Sequence, residues 1–184
     1  MRKAIKSMLE FFEPVKKFCR MRTIPEQVMM MLIPLSSGIF CYLLGNSVKI
    51  YAAVDIYDFM KDVLGDFITV LALFVSFTVG YLSILITSSS ENVNALKQDE
   101  SKVFFDEKGK PYTLYQILMT EITYTVLVEI TVLLVCVIEK FIINCFTSQV
   151  LKIFCSINVS LFVYILLLIL VDVKNLYFSF WKSE

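Results

Sequence analysis

Apolar residues in this chain come in long runs separated by short polar segments. Gln27 to Val48, Phe67 to Ser90 and Ile153 to Val171 contain no charged residue, and each approaches or exceeds the roughly 20 residues that carry a helix across a hydrocarbon core. A fourth run, Leu114 to Ile143, is apolar but is broken by Glu121, Glu129 and Glu139, so its charge-free parts are too short to span unaided. Runs this long exclude half-buried strands. The pattern predicts an all-α membrane protein: a four-transmembrane-helix bundle over residues 23–184, with spans of about 27–48, 67–90, 114–143 and 150–171. An amphipathic helix over 1–22 precedes it and a cytoplasmic loop over 91–113 divides it.

The polar segments are asymmetric in charge. Thirteen of the seventeen Lys and Arg residues fall in the N-terminal segment, the 91–113 loop and the tail, three segments that share one side in a four-span arrangement. Lys49, Lys61, Lys140 and Lys152 remain on the other side, among Asp55, Asp58, Asp62, Asp66 and Glu139. Basic residues are retained in the cytoplasm, so both termini are expected there, in a multi-pass protein of a bacterial inner membrane. A three-span model would put the basic tail on the wrong side. The basic stretch before the first apolar run, and the lack of a small-residue exit from that run, make it a retained signal-anchor.

In the first segment Ile5, Met8, Phe12, Val15 and Phe18 or Cys19 recur at helical spacing with Lys and Arg between them, and Pro14 should kink or split the helix. Such a helix lies in the headgroup boundary against anionic lipid or packs on the bundle. Thr23 and Glu26 have capping-box spacing, and Pro34 followed by Ser36, Ser37 and Gly38 predicts a bend. Lys49 to Asp66 reads as a separate short helix with Asp55, Asp58 and Asp62 on one face, a solvated cap and not a calcium site. Within the cytoplasmic loop, Val103, Phe104 and Phe105 have strand character, Glu107 to Lys110 holds the turn glycine Gly109, and Pro111 to Thr113 returns. Phe104 and Phe105, flanked by Lys108 and Lys110, form the candidate docking surface for a cytosolic protein. Otherwise they fold back on the loop or dip into the interface.

Two helices carry patterned polar residues. In the second span Thr69, Leu73, Ser76, Gly80, Ser83 and Thr87 alternate at spacings of four and three. Ser76, Gly80, Ser83 and Thr87 are the candidate packing seam, within the chain or between subunits. Thr78-Val79-Gly80-Tyr81 echoes a potassium-channel filter but lies inside an uninterrupted helix with Leu82 following, so it is no filter. In the third span Glu121, Thr125, Glu129, Cys136 and Glu139 share one side. Glu129 is mid-segment, where a carboxyl faces protein or water. It is hydrogen-bonded to a neighbouring helix, lines an oligomeric pore, or belongs to a proton path. With no intramembrane Lys, Arg or His to relay protons, the first two readings are favoured, and Glu121 and Glu139 are expected to reach water near the interfaces. Tyr177, Phe178, Phe180 and Trp181 anchor the last helix end.

Composition removes most chemistry. The chain has no histidine, and its seventeen acidic residues balance its seventeen basic ones. The commonest general base and metal ligand are therefore missing, and nothing suggests direct nucleic-acid binding. The five cysteines are scattered without C-x-x-C spacing, so neither a zinc site nor a disulfide framework is expected. No Ser-His or paired-Asp arrangement and no glycine-rich phosphate loop is present. No enzyme activity and no cofactor are expected.

Four spans, cytoplasmic termini, a length of 184 residues and a mid-chain cytoplasmic loop give the chain the overall plan of the KwaA membrane subunits of the Kiwa anti-phage system, which it resembles across its whole length. That resemblance implies a homotetramer in the inner membrane that senses phage attack and works with a cytosolic, DNA-binding KwaB-like effector. The 91–113 loop and the basic N-terminal segment would then be the contact surfaces. Read this way the protein is a sensor or scaffold of anti-phage defence. The alternative is a small homo-oligomeric channel or pore-forming effector lined by the Glu121 to Glu139 stripe.

Overall fold

The structure, a computed structural model, describes residues 12–47, 56–106 and 108–181. Its elements are α1 (Glu13–Arg20), α2 (Ile24–Ser47), α3 (Ile56–Thr87), α4 (Glu91–Gln98), β1 (Glu100–Phe105), β2 (Pro111–Thr113), α5 (Leu114–Ile142), a 3-10 turn (Ile143–Cys145) and α6 (Ser148–Trp181). The fold is all-α apart from one two-stranded antiparallel sheet. Three helices are long and apolar enough to cross a membrane, over Ile24–Asn46, Ile56–Thr87 and Ser148–Tyr177, and the chain is a helical membrane protein. Ile5, Met8, Asp55 and Glu107, on which parts of the sequence reading rest, lie outside the described residues.

The helices start and stop for local reasons. Glu26 accepts from the Thr23 backbone N–H at 3.0 Å, satisfying a donor that the start of α2 leaves open. Thr113 and Gln116 exchange bonds of 3.1 and 3.2 Å at the start of α5, a full capping box. Pro14 sits in the first turn of α1, where its missing N–H costs nothing. Pro34 lies inside α2, which continues through it, while Ser36 and Ser37 donate to the carbonyls of Ile33 and Pro34.

One expectation needs correction, and two segments are extended. Residues 56–66 are no separate cap helix: α3 runs unbroken for 32 residues, with Asp58, Lys61, Asp62 and Asp66 in its first turns. At 1.5 Å per residue it is about 48 Å long, more than the ~30 Å hydrocarbon core. Charge therefore ends the apolar run without ending the helix. The last helix likewise continues to Trp181, well past 171. The first half of the 91–113 loop is helical, because Ser90 accepts from the Val93 N–H and caps α4, which buries Val93 and Leu96.

The chain divides into two compact units, each drawing on all four long helices. The first comprises Met1–Gln27, Thr78–Val126 and Ile169–Glu184. It contains α1, α4, the sheet and a core of Leu85, Val93, Leu118 and Ile122 with Tyr81, Leu82, Tyr115, Met119 and Leu176 against it. The second comprises Val28–Phe77 and Leu127–Leu168. Its buried residues include Leu64 and Leu71 on α3, Val132 and Cys136 on α5, and Leu151 and Ile165 on α6. Phe162 stacks on Phe67 at 5.1 Å and lies 6.1 Å from Phe74.

Candidate functional site

In the first unit the sheet is held open by its turn. Asp106 Oδ1 accepts from the backbone N–H groups of Lys108 and Lys110, both at 2.8 Å, and Gly109 takes φ +78°, a conformation that suits glycine. The Lys110 N–H, followed by the Lys108 N–H and the two lysine ammonium groups, holds the Asp106 carboxyl below its ordinary range. Ser101 Oγ accepts from the N–H groups of Val103 and Phe104 at 3.2 and 3.1 Å, which tightens β1 where the ladder register shifts. Val103 is 71 % exposed and Phe105 48 %, while Phe104 is half-buried.

These strand residues line a groove of about 240 Å³ whose remaining walls are Lys17, Arg20 and Met21 of the N-terminal segment and Tyr112 of β2. Lys108 and Lys110 are exposed in the turn and do not line it. α1 is fixed to the unit by Phe18, which is buried and stacks on Tyr124 at 3.8 Å. Gln27 ties the following turn by donating to the carbonyls of Cys19 and Arg22. The groove thus has an aromatic floor and a cationic edge, both carried on regular structure.

The polar side of α5 is largely consumed within the chain. In the first unit Arg22 contacts Glu121 at 3.2 Å, Asn175 donates to the other Glu121 oxygen at 2.6 Å, and Thr125 donates to Asp172 at 2.6 Å. Glu121 and Asp172 are each 7 % exposed and Thr125 is fully buried. In the second unit Asn158 donates to Glu139 at 2.5 Å, and Glu129 and Cys136 have no exposed surface. Glu121 therefore does not reach water, contrary to expectation, and a cation does meet the stripe. Arg22, read from the sequence only as a marker of membrane side, points its guanidinium across the Phe18 ring, 4.4 Å from the centroid, to reach it.

Sequence reasoning missed Asp172, Asn175 and Asn158. A signal was present: α5 and α6 are joined by a short connection, which makes them antiparallel neighbours. The pairs Thr125 and Asp172, Glu121 and Asn175, and Glu139 and Asn158 follow one antiparallel register, the α6 member of each lying six or seven residues further from the connection than its partner on α5.

Among the described residues the candidate seam on α3 has no packing partner. Ser76, Gly80, Ser83 and Thr87 are all exposed, and a Cβ on Gly80 would meet open space. Ser76, Ser83 and Thr87 donate to carbonyls of their own helix. Among the described residues no group of three or more His, Cys, Asp or Glu side chains could hold a metal ion. Comparisons of the chain with protein-family models, curated proteins and solved structures find no match.

Proposed function

We propose that this chain is a non-enzymatic sensor or scaffold of the bacterial inner membrane, crossing it four times with both termini in the cytoplasm and recruiting a cytosolic effector protein through the groove beside β1. The fourth crossing is α5, 29 residues long, whose carboxyls turn toward protein and not lipid: Glu121 and Glu139 are bonded to Arg22, Asn175 and Asn158, and Glu129 is fully buried. The observation that carries the reading is the pairing of exposed Val103 and Phe105 with Lys17 and Arg20 around one groove. Apolar anchors ringed by cations suit a partner segment that offers apolar side chains and carboxylates. The resemblance to KwaA supports an anti-phage role, with a KwaB-like effector as partner and a homotetramer as the assembly. The exposed small-residue seam on α3 supports association with further copies.

The pore reading is weaker. A conduit needs polar groups turned outward from the single chain, yet Glu129 is fully buried and Glu121 and Glu139 are engaged by Arg22, Asn175 and Asn158. The test is affinity capture of the tagged protein from its native membranes. Wild type should recover one cytosolic protein, and the Phe104→Ala/Phe105→Ala variant, matched for membrane level, should lose it. Retention of the partner by that variant rules out the groove. Steady conductance of purified protein in planar bilayers, abolished by Glu129→Gln, would favour the pore.

A further inference from the structure

The second unit brings α2 and α6 together closely enough for chemistry between them. Gly38 faces Ser156 and Ser160: a Cβ there would stand 2.8 Å from the Ser156 carbonyl oxygen and 3.0 Å from the Ser160 Cβ. Two turns further along α2, Asn46 accepts from the Lys152 ammonium at 3.3 Å. The two contacts define an antiparallel pair, and Cys41 and Cys155 lie between them. That register sets Cys41 opposite Cys155, and both cysteines are free and half-buried. A disulfide spans 4.4–6.8 Å between Cα atoms, a separation that facing positions reach only where two helices pack closely, since each Cα stands about 2.3 Å off its helix axis. Contact through a glycine one turn away shortens that distance.

We propose that Cys41 and Cys155 form a redox-modification site, converting reversibly to an intramolecular disulfide that ties α2 to α6. With a small disulfide as oxidant, one thiolate attacks it and expels a thiolate. The second cysteine then attacks the resulting mixed disulfide and expels the other. Two protein thiols lose two protons and two electrons, one protein S–S bond forms, and the oxidant leaves as two thiols. Cys41 lies six residues before the end of α2 and Cys155 seven after the start of α6. Both are about 10 Å from a helix end, within reach of a small oxidant. The four-crossing topology puts that end on the outer, oxidising side; the pairing itself rests on the register of the two helices and stands if the topology fails.

The tether matters because α2 is thinly attached. Between Val28 and Asn46 only Pro34 and Gly38 are buried, and Met30, Ser37, Cys41 and Gly45 are half-buried, a single narrow seam. The probe is diamide, a membrane-permeant oxidant that takes up the two electrons and two protons, applied to the full-length protein in membranes. After denaturation, thiols are counted by maleimide labelling and linkages mapped by mass spectrometry. Wild type should lose two of its five reactive thiols, yield a peptide linked through Cys41 and Cys155, and recover fully with dithiothreitol. Cys41→Ser and Cys155→Ser should each keep all their remaining thiols. Five unmodified thiols in oxidised wild type, a bond to any other cysteine, or a bond between chains would overturn the proposal. Because the linkage is mapped on wild type, that outcome does not depend on how the variants fold.

Discussion

Replacing Arg22 by methionine tests whether the polar side of α5 is held by the protein or merely solvated. The Arg22 and Glu121 side chains are only 10 % and 9 % exposed, so the small contribution of an exposed pair, about 0–1 kcal/mol, does not apply. Removing one member of a buried pair strands the other's charge at a cost of about 3–5 kcal/mol. Here the Asn175 amide stays on Glu121, which argues for the lower end. The lost stacking over Phe18 adds about 1 kcal/mol. The expected loss is therefore about 3–4 kcal/mol. Arg22→Met/Glu121→Gln removes both charges and should recover most of it, since Asn175 can still donate to the glutamine carbonyl. The assay is reversible unfolding of purified protein in mixed micelles on titration with dodecyl sulfate, followed by helical circular dichroism, for both single variants and the double. A coupling energy of at least ~2 kcal/mol is expected. If Arg22→Met unfolds within about 0.5 kcal/mol of wild type, the pair is solvated and the packing of α1 through Phe18 and Arg22 is wrong.

Three further outcomes follow from named contacts. Because Asp106 is held below its ordinary range by the Lys110 and Lys108 N–H groups, its support of the turn is fully present above the unfolded value of about 3.9 and is lost as pH falls through the lower folded value; a Lys110 amide shift titrating at or above the unfolded value would refute this. Gly38→Ala should loosen α2 from α6 and raise its proteolysis in micelles, whereas Gly80→Ala, with open space around it, should leave the monomer as stable or up to ~1 kcal/mol more so. The opposite ranking would mean that the close approach lies elsewhere. Alkaline phosphatase fused after Glu184 should be inactive in intact cells, and activity there would place the C-terminus outside.

The long helices were legible because solvent writes their pattern: a run without charge must leave water. Their ends were not, since Asp58, Lys61, Asp62 and Asp66 continue α3 as ordinary helical residues. The stripe on α5 could be read from 100° periodicity, but which groups meet it depends on the register between helices, which one helix's spacing does not contain. Asp172 and Asn175 were missed for that reason, and Arg22 looked like a charge marking the cytoplasm. Glycine misled in the same way. Gly80 sits in a conspicuous seam with open space where a Cβ would stand, while Gly38, read only as part of a bend after Pro34, is where a Cβ would meet the backbone of α6. Spacing along one helix identifies a face; only the partner helix says whether the face is used.

The narrow seam of α2 also decides which solvent governs that helix. Ile33, Leu35, Ile39, Phe40, Leu43 and Leu44 are all exposed, so most of this helix's surface is left to whatever surrounds the chain. Its 23 apolar-spanning residues extend about 35 Å, slightly longer than a hydrocarbon slab of ~30 Å, and the mismatch is absorbed by tilt. A bilayer thinned or stretched around this span would change its tilt, with only the narrow seam of Pro34, Gly38, Cys41 and Gly45 to resist the change.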